Sequence, residues 1–264
     1  MQALNLAMQR FFRKAYGIHS PFLYALMSDC IFEDQDSVLF RDIEMRRRWL
    51  RRCQQIIRVR DFGQGGRFAF FRGPGRSSYR AKAVKTIARS ALQPPKYCRL
   101  LYRLASYRKA EYVLELGTSL GISAAYLARA IPGGRLVTLE GCPELSRIAR
   151  EGFDQLAIGN AEVITGAFSE TLSRVVNEQE RPDLVFIDGN HSGSALIGIL
   201  DVLNPYLKTS SVLLIDDIRW SPSMWQAWKS IRDYEKVRLS LDLWKMGVLF
   251  FDDALSKEKH LIGF

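Results

Sequence analysis

From residue 112 onward the chain repeats one rhythm, and that rhythm narrows the possible folds more than any other feature. Five strand-length apolar runs follow one another: YVLEL (112–116), RLVTLE (135–140), AEVIT (161–165), DLVFID (183–188) and SVLLID (211–216). Stretches of helix length separate them, at Gly121 to Ala130, Pro143 to Leu156, near 168–178 and near 192–203. Continuous apolar runs suit strands that are buried on both faces. Repeated βα units predict a parallel sheet with helices on either side. Pro143 and Pro222 fall just inside predicted helix starts, where the missing N–H costs nothing. The rhythm then breaks. VRLSLDL (237–243) and MGVLFF (246–251) are joined by Trp244-Lys245, with no room for a helix, so they predict an antiparallel hairpin. The expected fold class is α/β: a doubly wound, mostly parallel seven-stranded sheet that ends in an antiparallel hairpin.

Residues 1–110 lack this rhythm. Helical patterns fit 2–15, 20–32, 38–57, 80–92 and 96–108. Between them DFGQGGRFAFFRGPGRSS (61–78) is rich in glycine and reads as a loop, either a substrate lid or a plain connection. The chain therefore divides near residue 110, into a helical N-terminal extension or cap and an α/β domain over 111–264. Charge divides at about the same place. Residues 41–110 hold 20 Lys and Arg against Asp42, Glu44 and Asp61, so this stretch carries +17 in a chain whose total is +10. A basic segment on a mildly acidic body fits an anionic partner, and it fits solvated helix faces equally well.

Other features bound the class of protein. No apolar run approaches the roughly 20 residues that span a bilayer, and the start, MQALNLAMQRFFRK, has no signal-peptide pattern. Cys30, Cys53, Cys98 and Cys142 lie far apart and form no C-x-x-C pair, which predicts free thiols and a cytoplasmic location. His19, His191 and His260 are too few for a histidine-rich metal centre.

The chemistry gathers at the strand ends. LELGTSLGIS (114–123) puts Gly117, Ser119 and Gly121 where the first strand turns into a helix, so backbone N–H groups can approach a ligand closely. Glu140 closes the second strand, where a carboxylate can accept both hydroxyl hydrogens of a ribose. Asp188 ends the fourth strand, followed by Gly189, Asn190 and His191, and Asp216-Asp217 end the fifth. Trp225 and Trp228 stand at helical spacing, which favours packing, whereas Trp220 falls in a loop beside the two acids.

VLELGTSLGIS resembles the glycine-rich first motif of class I S-adenosylmethionine-dependent methyltransferases, which have a Rossmann-like fold, and TLEGCPE resembles their ribose-binding strand end. The terminal hairpin is also similar to theirs. FIDGNH and LLIDDIRW resemble the catechol and caffeoyl-CoA O-methyltransferase branch, and GIHSPF (17–22) a bacterial subgroup of it. The resemblance implies that Glu115, Gly117, Ser119 and Gly121 line the cofactor, that Glu140 holds its ribose, and that Phe168 and Ser169 flank its adenine. It makes Asp188 a residue of the reacting centre. It also implies a divalent cation (Mg, Ca or Mn) on Asp188, Asp216 and Asp217, although Asp217 stands where the branch has Asn. His191 takes the place of a catalytic lysine, and Trp220 that of a substrate wall.

The expected activity is methyl transfer from S-adenosylmethionine to a small-molecule acceptor, at a hydroxyl oxygen. The acceptor is one that could be anionic, and a homodimer is compatible with the sequence. Competing readings are an RNA methyltransferase that uses the basic half, an NAD-linked oxidoreductase, and a binding protein that has lost catalysis. Base-methylating enzymes often carry an aromatic-proline tetrapeptide after the fourth strand to stack a flipped base. Asp188-Gly189-Asn190-His191 stands there instead, which argues against nucleic acid.

Overall fold

The computed structural model describes residues 20–33, 37–61, 78–178 and 180–264. The helix expected over 2–15 and most of the glycine-rich stretch lie outside the described residues.

The rhythm after residue 112 folds as its periodicity dictates. Strands β3 (Tyr112–Leu116), β4 (Arg135–Glu140), β5 (Ala161–Thr165), β6 (Leu184–Ile187) and β7 (Val212–Ile215) are all parallel. The hairpin strands β8 (Leu239–Asp242) and β9 (Gly247–Phe250) pair antiparallel, and β9 runs antiparallel to β7. Among the described residues the sheet has eight strands rather than seven, in the order β10-β8-β9-β7-β6-β3-β4-β5. The additional strand, β10 (Glu258–Leu261), runs parallel to β8. Its residues EKHL show no apolar pattern because backbone bonds dock it: Glu258 N–H donates to the Arg238 carbonyl at 2.7 Å and Ile262 N–H to Asp242 at 2.8 Å. Ile262 and Phe264, just beyond it, are buried and anchor the tail.

Alternate residues of each strand feed the two faces of the sheet. One face carries Val113, Leu136, Phe186, Leu214, Val248 and Phe250, and it is covered by α4 (Pro95–Tyr107), α5 (Ile122–Ala130) and α6 (Pro143–Gln155). The other carries Leu114, Leu116, Val137, Val185, Ile187, Leu213 and Ile215, under α7 (Phe168–Glu178), α8 (Gly193–Leu203) and α9 (Pro222–Ile231). Trp228 of α9 is fully buried there, as its spacing predicts. Each fully buried Leu, Ile or Val contributes about 1.5–3 kcal/mol of transfer free energy. Proline at the first turn starts α4, α6 and α9, and the hydroxyls of Ser192 and Ser221 accept N–H bonds at the starts of α8 and α9.

The first hundred residues depart from the expected string of helices. α1 (Pro21–Leu26) continues into a π-helical turn, Met27–Ile31. The helix expected over 38–57 ends at Leu50: a 3-10 turn, Ser37–Phe40, leads into α2 (Arg41–Leu50). Ile56–Asp61 then forms β1, paired antiparallel with β2 (Ser78–Ala83), and only Val84–Ser90 (α3) of the segment expected as helix over 80–92 is helical. Within IIRVRD, Ile57-Arg58-Val59-Arg60 alternates apolar and polar residues with a period of two, which suits a strand. Leu23, Leu26, Phe40, Ile43, Leu50, Ile57 and Ile87 join the same apolar cluster as the first face of the sheet.

Part of the basic charge is internal. Arg103 is buried and donates to the carbonyls of Cys30 and Ile31 (2.5 and 2.9 Å) at the end of the π-helical turn. Arg46 donates to the Ile148 carbonyl at 2.7 Å. Gly152 leaves room for it, since a Cβ there would lie 2.4 Å from the Arg46 Nε. Arg47 donates to the Gln93 carbonyl, to Cys98 Sγ and to Glu44. Arg48, Arg51, Arg52, Arg58, Arg80 and Lys82 remain exposed.

Candidate active site

Sheet register alone assembles the site. Leu116 pairs with Leu139 and with Ile187, and Ile187 pairs with Ile215. The residues that follow, Glu140, Gly117, Asp188 and Asp216, therefore form one row across the carboxyl ends of β4, β3, β6 and β7. Adjacent strands lie about 4.8 Å apart. The row straddles β3, where the strand order reverses, which is where open α/β sheets bind ligands.

The loop after β3 lies close to this row. Gly117 has φ 110°, and a Cβ on it would fall 2.0 Å from the Asp188 carbonyl oxygen, so only glycine lets the two strand ends meet. Ser119 has φ 49°, and its N–H donates to Glu140 Oε2 at 2.8 Å, while Cys142 N–H donates to Oε1 at 2.8 Å. Two backbone donors thus fix the Glu140 carboxylate, and about two of its lone-pair sites stay available. Burial raises its pKa against the pull of those N–H groups. Glu115 is fully buried and accepts from Thr138 Oγ1 at 2.6 Å. Burial pushes this carboxyl up to about 7, with Ser123 and Thr138 pulling the other way. Gly121 caps α5 and packs on Ala149 and Phe153. Phe168 packs against Gly189, where a Cβ would lie 2.8 Å from its Cε2, and Ser169 beside it is exposed.

At the other end of the row the acids crowd together. Burial pushes Asp188 up to about 6, opposed by Lys245 and by Gln93, whose Nε2 donates to Asp188 Oδ2 at 3.1 Å. Asp216 is 2% exposed, and burial with the nearby Asp188 charge holds its carboxyl well above the usual range. Asp217 has φ 50° and turns its side chain toward His191 and Lys245. His191 Nε2 lies 3.8 Å from Asp217 Oδ2 and 4.0 Å from Asp188 Oδ1, and its ring is 5.7 Å from that of Trp220. Trp220 is 69% exposed and takes no part in the core.

Two residues that the sequence reading did not place in the site complete the arrangement: Lys245, read there only as part of the hairpin turn, and Gln93. Lys245 pairs through Nζ with Asp216 Oδ2, with Asp217 Oδ1 at 2.9 Å and with Gln93 Oε1 at 3.2 Å. Burial opposes its charge, but Asp216 and Asp217 outweigh it and hold the ammonium above its ordinary range. Gln93, from the N-terminal segment, is 4% exposed and links Lys245 to Asp188. The acids at 216 and 217 close on the Lys245 ammonium, and Asp188 is joined to it through Gln93. Among the described residues no group of three or more His, Cys, Asp or Glu is arranged to hold a metal ion.

The open sheet, the glycine-bearing loop after β3, the anchored acid ending β4 and the terminal hairpin match the arrangement that the sequence resemblance implies. Residues 114–218 match the family model described as a methyltransferase domain. Within that class the likeness runs to O-methyltransferases. A catechol O-methyltransferase from Niastella koreensis is 35% identical over 99 residues, which cover 36% of this chain and 45% of that protein. The chain thus spans less than half the length of that relative. The O-methyltransferase from Bacillus cereus, solved in complex with SAH, aligns at 23% identity and TM-score 0.53, over 61% of this chain and 83% of that one. SAH-bound PaMTH1 from Podospora anserina aligns at 16% identity and TM-score 0.58, over 91% and 99%. At these identities the two structures bear on the fold alone. Among the described residues no helix is long and apolar enough to cross a membrane.

Proposed function

We propose that this protein transfers a methyl group from S-adenosylmethionine to a hydroxyl oxygen of a small molecule. The observation that carries this is the Glu140 carboxylate, fixed by the Ser119 and Cys142 N–H groups beside Gly117. It is set to accept the two hydroxyls of a ribose whose cofactor threads past Gly117 and Ser119. In the same reading Gly121 shapes the loop, Glu115 underlies the methionine portion, and Phe168 and Ser169 flank the adenine. The acids along the row also favour a cationic sulfonium. An NAD pyrophosphate would meet carboxylates instead, so an oxidoreductase fits less well. The solved relative from Bacillus cereus holds SAH, and the curated relative is called a catechol O-methyltransferase.

Methyl transfer is an in-line displacement. An acceptor oxygen lone pair forms the C–O bond while the C–S bond breaks, and its electrons return to sulfur as a neutral thioether. The cofactor's positive charge disappears, so the protein's task is alignment and removal of the hydroxyl proton. His191 is the base in this assignment. Its Nε2 lies 4.0 Å from Asp188 Oδ1 and 3.8 Å from Asp217 Oδ2, so the ring stands between two carboxylates at the end of the row. Trp220 gives the acceptor a flat wall. Residues 20–110 supply Gln93 and Tyr97 to the rim, which suits a cap that faces the acceptor.

Calorimetric titration with SAH tests the central claim. Saturable binding is expected, with Glu140→Ala weakening it at least about tenfold, the loss of one charge-assisted hydrogen-bond set. Absence of any SAH binding by the intact protein would refute it.

A further inference from the structure

The sequence resemblance implies a divalent ion on Asp188, Asp216 and Asp217, and the geometry assigns that place to another cation. We propose that the ε-ammonium of Lys245 is the resident cation of this acidic cluster, and that the site does not take a divalent metal. This deepens the methyltransferase reading and rests on it only for the chemistry nearby.

The position of Lys245 follows from topology. Strand β9 runs antiparallel to β7 with Gly247 opposite Ile215, so the turn before β9 has to lie beside the residues after β7. The turn is held there firmly. Ile218 N–H donates to the Lys245 carbonyl at 3.0 Å, and Lys245 N–H to Leu243 at 2.9 Å. Arg219 donates to the Trp244 carbonyl at 2.7 Å, and Trp244 N–H to Asp242 Oδ1 at 2.9 Å. An ammonium has three donors and no acceptor. Here all three are used, on Asp216, Asp217 and Gln93 Oε1. The Tyr97 ring adds an aromatic face 5.7 Å from Nζ.

A hard divalent cation needs about six oxygen ligands in a shell of its own. Lys245 already holds Asp216 Oδ2 and Asp217 Oδ1, and Gln93 holds Asp188 Oδ2. The oxygens left over, Asp216 Oδ1, Asp188 Oδ1 and Asp217 Oδ2, fall short of six ligands, and a metal among them would stand against the ammonium. Replacement of the branch's Asn by Asp217 fits the same picture. It gives the ammonium a second carboxylate, where a neutral amide would suit an ion that already carries two charges. Gln93 extends the effect: its amide oxygen accepts from Lys245 and its Nε2 donates to Asp188, so the lysine orients the acid nearest the reaction without touching it. Lys245 is thus a positioning residue.

Calorimetric titration of the intact, chelator-treated protein with MnCl2, MgCl2 and CaCl2 tests this, with SAH affinity followed in parallel. No saturable metal binding is expected, and SAH affinity is expected to stay within about twofold with or without EDTA. Lys245→Met is expected to open the carboxylates, so that MnCl2 raises its unfolding midpoint by at least about 3 °C while leaving the wild type unmoved. Saturable Mn2+ binding by the wild type with Kd below about 1 mM overturns the assignment. An Mn2+ response unchanged between wild type and Lys245→Met overturns it as well. Should the variant fail to fold, the wild-type titration decides alone. Loss of SAH binding would count against the methyltransferase reading, and metal binding with SAH binding intact would count only against Lys245.

Discussion

Gly117→Ala tests whether the row of strand ends is as close as described. At φ 110° an L side chain is strained by about 1–3 kcal/mol before any contact is counted. The new methyl would lie 2.0 Å from the Asp188 carbonyl oxygen and 2.7 Å from its carbon, and both are backbone atoms that cannot rotate away. Ordinary contact requires Asp188 to retreat by more than about 1 Å. That retreat strains the pairing of β3 with β6, where Asp188 N–H donates to the Leu116 carbonyl at 2.8 Å, a bond worth about 1 kcal/mol net. With overpacking added, the loss is about 3–5 kcal/mol. This is a large part of the 5–15 kcal/mol that holds an ordinary domain folded. Urea unfolding followed by circular dichroism would show a lower midpoint with an unchanged slope, and thermal unfolding a fall of about 10 °C. SAH affinity should fall with it, because the displaced atoms border the proposed cofactor site. Gly133→Ala is the control: a Cβ there meets nothing within 4 Å, so its stability should stay within about 0.5 kcal/mol. A Gly117→Ala protein within about 1 kcal/mol of wild type, with SAH affinity intact, would refute the close approach.

Two further substitutions probe other links in the chain of argument. Burial raises the Glu115 pKa from 4.5 to about 7, so the native state keeps a proton that the unfolded chain releases. Its contribution to stability is therefore complete below pH 4.5 and is lost as pH rises through 7, by up to about 3 kcal/mol. Glu115→Gln should flatten the dependence of the urea midpoint between pH 5 and pH 8, and parallel profiles for the two proteins would contradict the assignment. Gly198 sits exposed inside α8 with open space where a Cβ would go. Gly198→Ala should therefore stabilise by about 0.5–1 kcal/mol in the same urea assay, and any destabilisation would mean that the helix position is constrained.

Much of the α/β domain could be read because its signals are local. A parallel strand buried on both faces is largely apolar, so the first polar residue after LVFI or VLLI marks the strand end, and strand ends are where such sheets bind ligands. Asp188, Asp216 and Glu140 were visible for that reason. Lys245 and Gln93 were not, because they meet across 152 residues of sequence and neither carries a pattern of its own. A signal for Lys245 did exist. A hairpin antiparallel to the last parallel strand must bring its turn back to that strand's carboxyl end, so Trp244-Lys245 had to border the site. Strands β1 and β2 escaped because IIRVRD is too short to outweigh the helical context, and its partner lies beyond the intervening stretch. The +17 segment was ambiguous for a different reason: charge counts do not separate Arg46, Arg47 and Arg103, which bond carbonyls in the interior, from the arginines that face water.

Strand β10 has a consequence for how copies of this chain could associate. An open sheet invites a neighbour wherever its outermost strand leaves N–H and C=O groups unpaired. Had the chain stopped at β9, the border would be β8, whose four residues, LSLD, are all buried. Strand β10 occupies that border and replaces it with four residues that include Glu258, Lys259 and His260, with Lys259 and Leu261 exposed. A second molecule adding its own strand there would have to pair along a short, charged segment. Strand β10 thus blunts growth of the sheet at that end, while the opposite edge, β5, is left without such a cover among the described residues.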